Sequence, residues 1–154
     1  MTSLPSIPTL RCVGGLAIAA GSVFLAVGAG AWFAVTKQLR DEKITVPGNA
    51  PLLAGRRVQD PVTAYAQALA IKDNSERGAG GRTFAEVSAA LRDVEKGSEE
   101  EAELRKHSAA LSTAASLRTS LMTSVLAYGV SALVGGLGAF FVVAGSQLRR
   151  VDQA

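Results

Sequence analysis

The residue types that usually carry chemistry are scarce in this chain, and their spacing does not suit it. His107 is the single histidine, between Leu104 and Leu111, with no cysteine beside it and no carboxylates at ligand spacing. A zinc centre needs three or four convergent ligands, so His107 is expected to be a packed or surface residue. Glu99, Glu100, Glu101 and Glu103 form an acidic run that reads as a solvated helix start. Gly78-Ala79-Gly80-Gly81 follows no predicted strand and reads as a linker, not as a phosphate cradle. Cys12, the only cysteine, excludes a disulfide within the chain. Lipid modification there would call for small residues just before it, where Leu10-Arg11 stand. G-x-S-x-G, H-E-x-x-H, C-x-x-C and P-loop patterns are absent. The sequence points to no catalytic residue, no cofactor and no metal ligand set, and a non-enzyme is expected.

What positions these residues is set by where the charges fall. The 154-residue chain has a net charge of +3 and is 48% apolar. Cys12 to Thr36 is a run of 25 residues without a charge, and Thr119 to Leu148 is a run of 30. A helix crosses the ~30 Å hydrocarbon core with about 20 apolar residues, so both runs are long enough, with length to spare for tilt. A core helix of a small soluble protein would be shorter and show a polar face. The first run also has features of a signal peptide: Arg11 before it and the small residues Ala29-Gly30-Ala31. Its length, and bulky Trp32 and Phe33, favour an uncleaved anchor. Neither run holds a side chain that is charged at neutral pH, which argues against a proton relay or charged transport path.

The expected architecture is an all-α membrane protein with two transmembrane helices flanking a small extracytoplasmic helical domain. The segments are a cytoplasmic N-terminus (1–11), transmembrane helix 1 (12–36), the outer domain (37–118), transmembrane helix 2 (119–148) and a cytoplasmic C-terminus (149–154). The loop is 82 residues long with 13 basic and 12 acidic side chains. Loops beyond about 60 residues translocate largely regardless of charge, so Arg11, Arg149 and Arg150 place the termini inside and the loop outside a plasma (inner) membrane. Trp32, Phe33 and Tyr128, with Arg149 and Arg150, are the expected interface anchors. Basic and acidic residues are interleaved and no basic patch has aromatics between its charges, so nucleic acid is not an expected partner.

Within the loop, Pro47, Gly48, Asn49, Pro51 and Gly55 predict turns, and Ile44-Thr45-Val46 a short strand at most. Asp60-Pro61 starts a helix over about 61–72, with Val62, Tyr65, Ala66 and Leu69 on one face. Thr83-x-x-Glu86 is a capping box for a helix over about 84–96, striped by Phe84, Val87, Leu91 and Val94. Ser98-x-x-Glu101 is a second box, opening a helix over about 99–118. No proline follows Glu99 before Leu148, so the second span is expected to continue that stalk helix. Leu104, Leu111, Leu117 and Leu121 give the stalk an apolar side for the shorter helices. Glu101–Arg105 and Glu103–Lys106 are spaced to pair along it.

Small residues four apart let membrane helices approach closely. Gly15–Ala19, Ala17–Gly21 and Ala26–Gly30 have that spacing in the first span. Ser131, Gly135 and Ala139, with the pair Ala132 and Gly136, have it in the second. They predict either oligomer contacts or, favoured because the spans are tethered, packing of the two spans on each other.

The stretches "DEKITVPGNAPLLAGRRVQDPVTAYAQALAIKDN", "GGRTFAEV" and "LRTSLMTSVLAYGVSALVGGLGAFFVVAG" together resemble a family of small two-span bacterial membrane proteins from high-GC Gram-positive lineages. Its members often carry the label "aromatic ring-opening dioxygenase LigA". The resemblance spans about Ala31 to Gly145 and rests on segment pattern. It implies a membrane protein with an outward loop and no established activity. A dioxygenase of that kind would hold iron through histidine and carboxylates. Where the family pattern often has a histidine, after the helix that starts at the Asp-Pro pair, this chain has Lys72-Asp73-Asn74.

The expected function is that of a non-enzymatic, membrane-anchored envelope protein. Its outer domain would meet a membrane or envelope protein, as an accessory subunit of a membrane complex or by self-association. The alternatives are a small homo-oligomeric two-span channel and, further off, a dioxygenase-like subunit.

Overall fold

The computed structural model describes residues 7–151; residues 1–6 and 152–154 of the expected termini lie outside that range. Four helices follow one another: α1 (Ile7–Asp41), α2 (Pro61–Gly78), α3 (Phe84–Asp93) and α4 (Glu99–Val151). No β-strand occurs among the described residues. Two helices, α1 and α4, are long and apolar enough to cross a membrane, each with a window of mean hydropathy 2.0. Only 17% of each window is buried within the chain, unlike the core helix of a soluble domain. The chain divides into two compact units, one of residues up to Thr36 and from Leu126 onward, the other Lys37–Val125.

The first unit is an antiparallel helical hairpin. Pro8 falls in the first turn of α1, where its missing N–H has no intrahelical partner to lose. α1 is longer at both ends than the 12–36 run that predicts it. Beyond Thr36, Lys37 pairs with Asp41 at 2.7 Å, one turn apart, and carries the helix past the first charges. It stops where Lys43 turns left-handed, φ 53°.

In the second unit a loop leads from α1 to α2. Its expected strand reduces to a single antiparallel bridge, Thr45 to Arg57. The N–H groups of Val46 and Val58 donate to the carbonyls of Arg56 and Ile44, both at 2.9 Å, and both valine side chains are buried. Asp60 caps α2, accepting from the N–H groups of Val62 and Thr63. The Thr63 hydroxyl returns the favour by accepting from the Asp60 N–H. α2 runs six residues past the expected end at Lys72, because Lys72-Asp73-Asn74-Ser75 stays helical. Lys72 pairs with Glu76 at 3.3 Å, and Arg77 and Ser75 donate to carbonyls of the preceding turn.

The Thr83 capping box forms in full, Glu86 accepting from the Thr83 N–H at 2.7 Å. α3 ends three residues short of expectation, at Asp93, because Val94 is already extended. At α4 the Ser98 hydroxyl accepts from the Glu101 N–H, while the Glu101 carboxylate reaches one residue further back, to the Gly97 N–H at 2.7 Å. Gly97, at φ 84°, adopts a conformation that costs glycine little. Arg105 pairs with Glu101 at 2.6 Å; Glu103 and Lys106 do not pair. α4 then runs unbroken for 53 residues. The core of this unit gathers Ala79, Val87, Leu104 and Leu111, with Ala90, Leu91 and Val94 packed against it.

Candidate functional site

The closest approach in the hairpin is backbone against backbone. A Cβ placed on Gly14 would lie 2.8 Å from the Gly145 carbonyl oxygen. On Gly21 it would lie 2.6 Å from the Gly138 oxygen, and on Gly28 2.8 Å from the Ser131 oxygen and the Gly135 nitrogen. The reverse contacts, from Gly138 and Gly145, are as tight. The seam therefore repeats every seven residues, rising on one helix and falling on the other. Period seven keeps a contact line on one face of a gently supercoiled helix.

Of the small residues with four-residue spacing, Gly21, Ser131 and Gly135 lie in this seam. Gly15, Gly30 and Gly136 have open space where a side chain would go, as does Gly135 although its backbone lies close to Gly28, and Ala19, Ala26 and Ala139 are exposed. Gly14, Gly28, Gly138 and Gly145 were not among them. Their signal in the sequence is glycines seven apart, a spacing distinct from the four-residue step.

Trp32 and Tyr128 meet edge to face, ring centres 4.6 Å apart. The Tyr128 hydroxyl bonds the Thr36 hydroxyl at 2.8 Å, so this tyrosine is buried between the two helices with its polar end satisfied. Phe33 is 68% exposed. Arg149 and Arg150 are exposed in the last turn of α4, where cations suit the negative end of the helix dipole.

In the second unit, the α2 face marked by Val62, Tyr65, Ala66 and Leu69 is only partly the buried one. Burial falls on Thr63, Ala64, Ala66, Gln67, Ala68 and Ala70, whereas Val62 is 64% and Tyr65 45% exposed. α2 buries its alanines because they allow close packing, leaves Val62 and Tyr65 outside, and only partly buries Leu69 and Ile71. Leu52 and Leu53 are also exposed, and Leu53 holds φ 53°, a conformation that costs an L-residue roughly 1–2 kcal/mol.

A cavity of about 560 Å³ in this unit has walls of Leu39, Ile44, Ile71, Leu117 and Leu121, with Gln67 also lining it. That volume is in the range of small-molecule sites. Gln67 is 91% buried and its Oε1 has no hydrogen-bond partner. Leu117, expected to pack under the shorter helices, is half exposed and borders this cavity instead. His107 is partly buried and borders two smaller clefts. Among the described residues no three His, Cys, Asp or Glu side chains converge as metal ligands.

No family model, curated protein or solved structure matches this chain.

Proposed function

We propose that this chain is a membrane-anchored, non-enzymatic adaptor. The hairpin holds it in the bilayer, and the Lys37–Val125 unit, on the outer side of a plasma membrane, docks a protein partner. The observation that carries this reading is the exposed apolar face of α2, Val62 and Tyr65. An aromatic and a branched aliphatic side chain left in water while alanines fill the core have a cost that a partner would relieve. The strained, exposed Leu53 fits the same reading, since backbone strain at a surface loop accompanies binding segments.

The test is a photo-crosslinking amino acid at position 65 in cells. A discrete protein adduct is expected, lost when Val62→Ser is added and absent with the crosslinker at exposed Ala89 of α3. An adduct of twice the chain's mass would make the partner a second copy. Adducts to lipid alone, or the same pattern from both positions, overturn the reading.

A further inference from the structure

A second cleft of the Lys37–Val125 unit gathers cations. Arg40, Lys43 and Arg57 line a concavity of about 290 Å³, floored by Ile44, Val58 and Gln59. No carboxylate pairs with any of the three; the ion pairs among the described residues are Lys37–Asp41, Lys72–Glu76 and Arg105–Glu101. Of the nearby acids two are engaged elsewhere, and the third, exposed Glu42, pairs with none of the three cations. Asp41 takes Lys37, Asp60 caps α2, and Glu42 lines the apolar cavity.

The cleft is held by backbone, not by loose side chains alone. The Lys43 N–H donates to the Arg40 carbonyl at 3.1 Å and closes the end of α1. The isolated Thr45–Arg57 bridge fixes the loop segment that presents Arg57. Gln59 Oε1 accepts from Arg40 Nε at 3.2 Å, which orients the guanidinium and leaves its two terminal nitrogens for another acceptor. Three cations gathered without a counter-charge repel one another, and an anion would relieve that. Guanidinium and ammonium donors around one centre suit phosphate oxygens.

Arg40 follows the uncharged Cys12–Thr36 run by four residues, about 6 Å along a helix. A cation at that distance from a hydrocarbon-spanning segment stands at headgroup depth. We infer that Arg40, Lys43 and Arg57 form a binding site for a phosphate group, supplied by the headgroup of an anionic phospholipid. This inference uses the membrane anchoring of the hairpin but not the protein-docking face of α2.

The chain's single tryptophan, Trp32, reports on it, eight residues before Arg40 in the same helix. The full-length protein is reconstituted in bilayers of neutral lipid at about 0.15 M salt, which screens general attraction. Acyl-brominated phosphatidylglycerol or phosphatidylcholine is added at equal mole fraction, and quenching of Trp32 is measured. About fivefold preference for the anionic lipid is expected, in line with the pull of basic residues near a charged surface. It should vanish in the combined Arg40→Gln, Lys43→Gln, Arg57→Gln variant and fall partly in Arg57→Gln alone, whose exposed side chain makes no bond the fold needs. The combined Arg82→Gln, Arg92→Gln, Lys96→Gln variant removes as much charge elsewhere and should keep the preference.

Millimolar inorganic phosphate separates the two sources of the group. Undiminished preference in its presence supports the lipid headgroup. Loss of the preference, with phosphorus resonance broadening by the native chain and not by the cleft variant, overturns the lipid and makes free phosphate the occupant. No preference and no broadening, or equal loss in both combined variants, overturns the site.

Discussion

Gly21 and Gly136 are the same residue type in membrane-grade helices, yet their surroundings demand opposite behaviour. A methyl group on Gly21 would meet the Gly138 oxygen at 2.6 Å and the Val142 nitrogen at 2.8 Å, and backbone cannot step aside. Gly21→Ala should therefore cost about 1–3 kcal/mol, the usual range for overpacking. Gly136→Ala meets open space and should be neutral or slightly stabilising. Thermal unfolding in detergent checks the pair; equal shifts would mean the seam is not the closest contact. Gln67 gives a second case. Its buried Oε1 lacks a partner, and an unmade hydrogen bond costs roughly 1–3 kcal/mol. Gln67→Leu should raise the melting temperature. A clear fall would mean that the amide is satisfied by something bound in the cavity beside it.

At the scale of elements, the helix starts were legible and the helix faces were not. Asp60, Thr83 and Ser98 announce three N-termini because a cap is a local event, set by one side chain and the N–H groups two or three residues on. Which side of α2 is buried is decided by what packs against it, and its alanines carry little signal in a scale that rewards Val62 and Tyr65. The hairpin seam was half legible: the small residues were visible, but the choice between period four and period seven depends on the crossing geometry of the partner helix. The candidate clefts were not legible at all, because Arg40 and Arg57 come together only through the Thr45 bridge.

The caps also make a prediction about acid. The backbone N–H of Thr83 holds the Glu86 carboxyl below its ordinary 4.5, and that of Gly97 does the same for Glu101, helped by Arg105. With folded values below unfolded ones, the unfolded chain binds more protons in that window. The stability these caps add is full above about pH 4.5 and is lost as pH falls through the folded values. Helicity followed from pH 6 to pH 3 should drop in the native chain. Glu86→Gln and Glu101→Gln should each weaken that dependence while lowering stability at neutral pH. An unchanged acid profile in the double variant would remove the caps from the account.

For the whole molecule, sidedness has a direct readout. Ala89 and Ala102 are exposed and take no part in a cap, so Ala89→Cys and Ala102→Cys, each in a Cys12→Ser background, leave the fold alone. A membrane-impermeant thiol reagent on intact cells should label both; labelling only after lysis would put the Lys37–Val125 unit in the cytoplasm. The hairpin itself can be viewed as a device with very few settings. Its helices touch through bare backbone at points seven residues apart, so sliding one along the other by one to six residues drives a side chain into a peptide group. The next position at which glycine could again face glycine lies about 10 Å away, one full repeat. Such a pair has no continuous adjustment available to it: it holds its alignment, or it separates.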